Sequence, residues 1–188
     1  MLAPVLEIHV VWHHREAPDA EAIALDLAEH FQGGAFASLL SGAVEVYVRS
    51  AGWADEADAP RPIAWPGSAP GLGGVEPAMF TAVVPIVGLQ LGRAVEDPGG
   101  RWHAYIEAIA EAQRRDPAHV RLFPTRLAGI TPQGRLAQLL SSSQYLAEPD
   151  VHAEIEEPMP GLRRRDLAQG VAQWISPLNG YRLQIFIS

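Results

Sequence analysis

Residues 6–12 read LEIHVVW and residues 79–87 read MFTAVVPIV, and these two stretches decide the fold. Both are almost continuously apolar and rich in β-branched side chains, whereas a strand with one solvated face alternates apolar and polar residues. A strand that is apolar on both faces is typical of a parallel sheet with helices packed on each side. The sequence therefore predicts an α/β protein whose central sheet is mostly parallel.

The segments around these strands alternate between helical and extended patterns. A helix is predicted over 20–32, where Ile23, Leu27 and Phe31 recur every four residues and Asp19 stands at the N-cap. Further strands are predicted over 44–49 and 120–127, and further helices over 101–115, 133–145 and 162–175. This alternation favours a doubly wound, three-layer sandwich with about five strands.

The composition excludes several kinds of chemistry. The 188 residues include no cysteine and no lysine, so all 14 basic residues are arginine. Disulfides, thiolate nucleophiles, cysteine-bound metals and lysine Schiff bases are therefore excluded, as is the lysine-dependent phosphate-binding loop. The formal net charge of −8 predicts no general affinity for nucleic acid or anionic membranes. Because neither a signal peptide nor a membrane-length apolar segment is recognised, we expect a cytoplasmic protein.

A stretch rich in proline and glycine, residues 50–77, interrupts the alternation of strands and helices. It is longer than the loops that compact domains normally contain, which indicates either a functional loop or a mobile connector. Trp53 lies in this stretch, where an exposed aromatic side chain needs a partner or a local pocket. Ligands of doubly wound sheets bind beyond the carboxyl ends of the strands, so we expect a site among the loops that follow Trp12, Arg49 and Val87.

The order of these elements resembles that of the TIR (Toll/interleukin receptor) domain. The resemblance rests on the strands LEIHVVWH, VEVYVRS, FTAVVPIVG and HVRLFPTRL and the helices DAEAIALDLAEHF, GRWHAYIEAIAEA and RDLAQGVAQWI, which lie within residues 5–176. It implies a flavodoxin-like fold and a signalling role in a bacterial, antiphage-defence type of protein. The expected partners are a second copy of the chain or another TIR domain, with no nucleic acid and no membrane.

The resemblance divides the chain into one domain and a short terminal segment. Residues 1–180 are expected to form the single TIR-like domain. Residues 181–188, YRLQIFIS, look like the opening strand of a second TIR domain, which would make this chain the front part of a longer protein. The same residues also fit a last strand of the first domain's own sheet, and the two interpretations have equal weight.

Enzymes of the TIR family cleave the nicotinamide–ribose bond of NAD with a helix-borne glutamate, and the nearest matches here are Glu107 and Glu111. A carboxylate at this place can stabilise an oxocarbenium-like ribose and orient its hydroxyl groups. The sequence departs from the family pattern, because DPGGR over 97–101 stands where the family has a serine-bearing approach to the helix. NAD glycohydrolase activity, with NAD as substrate, therefore ranks below the signalling role, and solvated helix-surface glutamates are the competing interpretation. No cofactor is indicated.

The candidates for ligand binding at the carboxyl edge of the sheet are His13, His14, Arg49, Trp53 and Trp102. Alternation along an extended chain places His9 and His13 on one side and His14 on the other. At a rise of about 3.3 Å per residue, His9 and His13 are about 13 Å apart, too far to share one metal ion, so no metal site is predicted. A nucleotide-sensing domain without catalysis is the third functional hypothesis.

Overall fold

The computed structural model describes residues 4–33, 44–52, 54–55, 58–69, 76–143, 145–146 and 161–175. Its strands are β1 (Leu6–Val11), β2 (Val44–Arg49), β3 (Phe80–Val87), β4 (Val120–Leu122) and β5 (Thr125–Arg126). Its α-helices are α1 (Asp19–Gly33), α2 (Leu89–Val95), α3 (Arg101–Arg115), α4 (Gly134–Leu139) and α5 (Leu162–Ile175). A 3-10 turn over His14–Glu16 follows β1. Residues 181–188, for which two interpretations were open, lie outside the described part.

The strands form a parallel sheet with the order β2-β1-β3-β4, and β5 continues the pairing with β3 after β4 ends. Every strand pair of the described residues is parallel. β1 lies between β2 and β3, so the chain builds the sheet outward from β1 first to one side and then to the other. This arrangement confirms the predicted α/β class with a mostly parallel sheet, and its strand order is that of a flavodoxin-like sandwich.

Apolar residues pack on both faces of the sheet and make three layers. All residues of β1 and β3 are buried, as their continuous apolar pattern predicts. Ile8 and Val10 of β1 belong to the cluster that contains the inner faces of α1 and α5. Val83 and Val87 of β3 belong to a second cluster, which contains the inner faces of α2, α3 and α4. The sheet is therefore the middle layer of the sandwich.

Several elements differ from the sequence-based prediction. The strand expected over 120–127 is divided into β4 and β5, because Pro124 has no N–H to donate to a ladder. The helix expected over 133–145 is only α4, since a serine run follows it and the hydroxyl of Ser141 donates to the carbonyl of Gln138 at 2.8 Å. The short helix α2 was not predicted at all.

The face of the sheet that carries α2, α3 and α4 is covered by these helices over one part and by irregular chain over the other. Helices α2, α3 and α4 contact one another and share an apolar cluster with β3 and β4, whereas irregular chain from the long loop lies over β1 and β2. Ile63 of this loop is buried in the second apolar cluster, with Trp65 packed against it. The side chain of Asp58 also forms an ion pair with Arg101 at the start of α3. Residues 58–69 are therefore anchored to the domain, and they cover the face on which the polar side chains lie.

Candidate functional site

Polar side chains of β1 and β2 lie side by side on the face that the loop covers. Residues two apart along a strand point to the same face, so Glu7 and His9 of β1 share a face. The parallel register places His9 next to Tyr47 of β2 and Val11 next to Arg49. Glu7 and His9 are only 6% and 1% exposed. Burying such groups costs free energy unless they are hydrogen-bonded, so their partners decide what the arrangement can do.

Glu7, His9 and Arg49 form one hydrogen-bonded chain, which we call the Glu7–His9–Arg49 relay. Nε of Arg49 donates to Nδ1 of His9 at 2.9 Å. An arginine can only donate, so Nδ1 of His9 carries no proton and Nε2 carries it. Nε2 therefore donates to the Glu7 carboxylate, 3.2 Å away. Burial lowers the pKa of His9, so the neutral ring links an anion to a cation.

Tyr47 packs against this relay. Its ring stacks on the His9 ring, with centroids 5.1 Å apart and planes 13° from parallel. Its hydroxyl donates to the carboxylate of Glu45, and the guanidinium of Arg49 lies 5.6 Å from the ring centroid. Burial raises the pKa of Tyr47, so the hydroxyl stays protonated near neutral pH. The ring fixes the imidazole from one side while the hydrogen bonds fix it at its edge.

The partly buried guanidinium of Arg49 has few hydrogen-bond partners. Besides the bond to His9, one terminal nitrogen donates to the carbonyl of Arg61 at 2.9 Å. Among the described residues no carboxylate forms an ion pair with it; those pairs are made by Arg101, Arg115, Arg135 and Arg164. The bond to Arg61 joins the end of β2 to the covering loop, and the neutral ring of His9 links the guanidinium of Arg49 to the carboxylate of Glu7.

A pocket of about 670 Å³ opens above these side chains, and we call it the sheet-face pocket. Glu7, His9, Tyr47 and Arg49 line it from the sheet, and residues 60–62 line it from the loop. A second pocket of about 540 Å³ lies between α3 and the other side of residues 59–63. Tyr105 lines that second pocket; burial raises its pKa to about 12, which the nearby Arg49 opposes. Its buried hydroxyl lies next to the guanidinium of Arg49, without a hydrogen bond of good geometry.

Three of the predicted ligand-binding residues come together at the carboxyl end of β1. The ring of His13 stacks on His14, with centroids 4.5 Å apart, and lies 5.2 Å from the ring of Trp102. The prediction that His14 points away from His13 is wrong, because the strand ends at Val11 and a 3-10 turn ends the alternation. His13 and Trp102 are buried, at 7% and 3% exposure, so their contacts are mostly with each other and with the core.

The hydrogen bond and the burial of His13, at the carboxyl end of β1, determine its protonation state. Its Nδ1 accepts a hydrogen bond from the backbone N–H of Arg15 at 3.2 Å, which leaves the ring proton on Nε2. Burial, with the charges of His14 and Arg15 adding to it, lowers the pKa of His13 to about 4. His13 is therefore uncharged at neutral pH and acts as a packed aromatic group rather than as a cation.

A buried carboxylate occupies the crevice between β1 and β3, where doubly wound proteins commonly hold ligands. Oε1 of Glu16 accepts hydrogen bonds from the backbone N–H groups of Gln90 and Leu91, at 2.6 and 3.2 Å. These amides begin α2, so the protein's own side chain caps this helix. Gly88 makes the approach feasible, since a Cβ at this position would stand 2.1 Å from Oε1. Burial raises the pKa of Glu16, and the two N–H donors oppose the rise.

The predicted catalytic residues lie elsewhere. The carboxylate of Glu107 is 41% exposed and pairs with Arg135 at 2.7 Å, with His103 3.8 Å away. Glu111 is 54% exposed and pairs with Arg115 one turn further along α3, at 2.8 Å. Neither residue lines the sheet-face pocket or the pocket beside Tyr105. The structure does not bring these glutamates together with Arg49 or His13. Trp53, the remaining candidate, lies outside the described residues.

Sequence reasoning found Arg49 but missed Glu7, His9 and Tyr47 as members of a site. One signal was present: Glu7 and His9 are the polar positions of an otherwise apolar strand, and they are two residues apart. Tyr47 and Arg49 have the same parity in β2. Polar side chains on one face of a buried strand rarely occur without a partner, and the missing information was which strand lies next to β1.

Comparisons with known protein families, with curated proteins and with solved structures find no match for this chain. Within the described residues there is also no group of three or more histidine, aspartate or glutamate side chains that could hold a metal ion. None of the helices described here is long and apolar enough to cross a membrane.

Proposed function

We propose that this chain is a TIR-like signalling module that senses a small polar ligand in the sheet-face pocket. Ligand occupancy is passed on by self-association or by pairing with another TIR domain. The observation that carries the proposal is the Glu7–His9–Arg49 relay at the floor of this pocket. A sheet face that only had to pack against a covering segment would be apolar, as the other face of β1 is.

The size and composition of the pocket support a ligand of moderate size. Pockets for small molecules commonly measure about 300–1,000 Å³ and combine apolar walls with a few fixed polar groups. The sheet-face pocket measures about 670 Å³. Pro60 and Pro62 are among its apolar walls, and its charged lining residues are Glu7, Arg49, Arg61 and Glu76. A nucleotide or a similar molecule of that size is a suitable occupant, which agrees with the nucleotide-sensing hypothesis.

The TIR-like part of the proposal is supported by the order of the elements. The sheet has the order β2-β1-β3-β4 with parallel pairs, and α3 is entered through the buried Trp102, as the resemblance requires. The signalling role, the place in antiphage defence and the cytoplasmic, bacterial setting come from this resemblance. The resemblance implies that the loop after Arg49 corresponds to the loop through which TIR domains assemble, so ligand and assembly would meet at one place.

The contacts of Glu107 and Glu111 favour sensing over NAD hydrolysis. Glu107 is paired with Arg135 of α4 and Glu111 with Arg115 of α3, and neither glutamate lines the pockets beside Arg49 and Tyr105. A catalytic carboxylate has to reach the reacting bond. NAD is therefore proposed as a molecule that the pocket could bind rather than as a substrate that the chain cleaves.

The test joins binding to assembly. Thermal shift of the purified chain with NAD, ADP-ribose and cyclic AMP identifies a binding probe, and light scattering after size exclusion follows the mass with and without it. We expect one of these probes to raise the melting temperature and to change the fraction of dimer or larger species. A chain that stays strictly monomeric at every concentration and is stabilised by none of them would contradict the proposal.

The same samples decide the enzymatic alternative. Nicotinamide release from NAD is followed with the wild-type chain and with the variants Glu107→Ala and Glu111→Ala. The proposal expects no turnover in any of the three. Turnover by the wild type that one of the two variants abolishes would replace sensing by NAD glycohydrolase activity as the function of this chain.

A further inference from the structure

We propose that Arg49 recognises an anionic group of the ligand in the sheet-face pocket, and that Glu7 and His9 are positioning residues that hold its guanidinium. The anionic group is a phosphate or a carboxylate. The inference rests on the proposed function, since it names the chemistry by which the same pocket would select its occupant.

The first argument is the set of donors that Arg49 still offers. A guanidinium carries five N–H groups in a rigid planar fork. Hydrogen bonds of normal geometry engage two of them: one with Nδ1 of His9 and one with the carbonyl of Arg61, both at 2.9 Å. The other three N–H groups belong to the two terminal nitrogens. The hydroxyl of Tyr105 lies beside this guanidinium, and Arg49 also lines the sheet-face pocket, where the donors that Tyr105 does not engage can meet a ligand. Parallel donors on a planar fork match the two oxygens of a carboxylate or phosphate.

The second argument is charge. No carboxylate of the described residues is paired directly with Arg49, although the side chain is partly buried. The imidazole of His9 separates Glu7 from the guanidinium, and Glu76, which also lines the sheet-face pocket, forms no ion pair with Arg49 within the described part of the chain. A partly buried cation without a contacting anion is attracted strongly to an anion that enters its pocket, because the local dielectric is lower than that of water. The carboxylate of Glu7 is itself engaged by His9 and buried.

The third argument explains why Glu7 and His9 are there. Nδ1 of His9 can accept from Arg49 only while the ring proton is on Nε2, and the carboxylate of Glu7 keeps it there by accepting from Nε2. This is the arrangement by which a carboxylate selects the tautomer of a histidine. Tyr47 stacks on the same ring and prevents it from turning. Three side chains thus fix one Nε–H bond and, through it, the plane of the guanidinium.

The experiment measures binding of inorganic pyrophosphate and of citrate by isothermal titration calorimetry, with ribose as an uncharged probe. The variants are Arg49→Gln, Arg49→Lys and, as a matched control, Arg115→Gln. Arg115 is an exposed arginine on α3 whose partner is Glu111, outside both pockets beside Arg49. We expect at least one anion to bind the wild type and the control equally, and to bind Arg49→Gln about 10- to 100-fold more weakly, as for a lost charge-assisted pair. Arg49→Lys keeps the charge without the fork and should be intermediate.

The two anions distinguish the source of the charge. Tighter binding of pyrophosphate points to a phosphate-bearing ligand, and tighter binding of citrate points to a polycarboxylate; either supports the inference. If neither anion binds the wild type, or if Arg49→Gln binds as the control does, the inference is wrong. Anion binding that depends on Arg49 without any effect on assembly would retain the inference and contradict the proposed function. Ligand-dependent assembly that is unchanged in Arg49→Gln would retain the proposed function and contradict the inference about Arg49.

The positioning role has its own readout. In the wild type the Nε–H of Arg49 should give a resolved, slowly exchanging NMR signal, because the proton is held by His9. His9→Phe keeps a flat ring but cannot accept, so the signal and the anion affinity should both be lost. His9→Asn offers a carbonyl oxygen near the place of Nδ1 and should restore part of both. Equal affinities in the two His9 variants would show that the ring only fills space.

Discussion

Acid should destabilise this fold through His13, which is neutral in the native state because it is buried. The unfolded chain protonates this ring near the ordinary value of 6.5, whereas the folded chain does so only at about 4. Between these two pH values the unfolded state therefore binds more protons, and stability falls as the pH is lowered through this window. Above about pH 7 the ring is neutral in both states, and its contribution no longer changes.

The magnitude follows from the width of this window. One pKa unit corresponds to about 1.4 kcal/mol, so a shift from 6.5 to about 4 sets a ceiling of about 3 kcal/mol. Lowering the pH from about 7.5 to about 5 should remove about 2 kcal/mol of the unfolding free energy through this shift. Solvent screening at the open edge of the ring reduces the expected loss to about 1–2 kcal/mol. The lowered pKa of His9 adds to the loss of stability on acidification, whereas the raised pKa of Glu16 opposes it, so the share of His13 is read from a comparison of the wild type with a His13 variant.

The assay is urea unfolding of the wild type and of His13→Gln at about pH 7.5 and about pH 5. Glutamine does not titrate, and its carbonyl can still accept from the N–H of Arg15. The variant is less stable at both pH values because it loses the stacking on Trp102, but it should lose about 1–2 kcal/mol less than the wild type on acidification. His119→Gln, which removes a half-exposed histidine, reports what the loss of any imidazole does. Identical pH dependence in the wild type and His13→Gln would refute the reasoning.

Three further predictions concern packing and surface charge. Gly88→Ala should cost about 2–3 kcal/mol in urea unfolding, because its Cβ would stand 2.1 Å from Oε1 of Glu16 and displace a charge-assisted cap; an unchanged stability would contradict this. Gly170→Ala should destabilise by about 1 kcal/mol, since overpacking against Phe123, 2.7 Å from the new Cβ, exceeds the gain in helix propensity; stabilisation would mean that the ring yields freely. Glu107→Gln should change the unfolding free energy by less than about 0.5 kcal/mol and leave ligand binding intact, as for an exposed ion pair.

The layered architecture could be predicted from the sequence, because a strand buried on both faces is continuously apolar over a short stretch of chain. The apolar runs of β1 and β3 predicted a covered parallel sheet, and the strand Val44–Arg49 and the helix Arg101–Arg115 have the predicted bounds. The helix α2 was missed for a physical reason. It is short, and its cap is Glu16, which lies 74 residues before Gln90 in the chain. No local pattern carries that contact.

The candidate site was predictable only at Arg49. That residue was found because it ends a strand, and strand ends are where such sheets hold ligands. Glu7 and His9 gain their meaning from pairing with β2 and from the loop above them, which only the assembled sheet provides. The candidates His13, His14 and Trp102 lie in contact, but His13 and Trp102 are buried, so these two rings pack against each other instead of offering an open binding surface.

The most direct test of the central claim is to map where ADP-ribose binds by NMR. Backbone and arginine Nε signals of the labelled chain are followed during titration with ADP-ribose. If the sheet-face pocket is the binding site, the largest shifts occur at Tyr47, Arg49 and Arg61, and Arg49→Gln removes them. Shifts confined to the crevice around Glu16 and Gly88, or no shifts at millimolar ligand, would contradict the claim that the Glu7–His9–Arg49 relay serves a ligand.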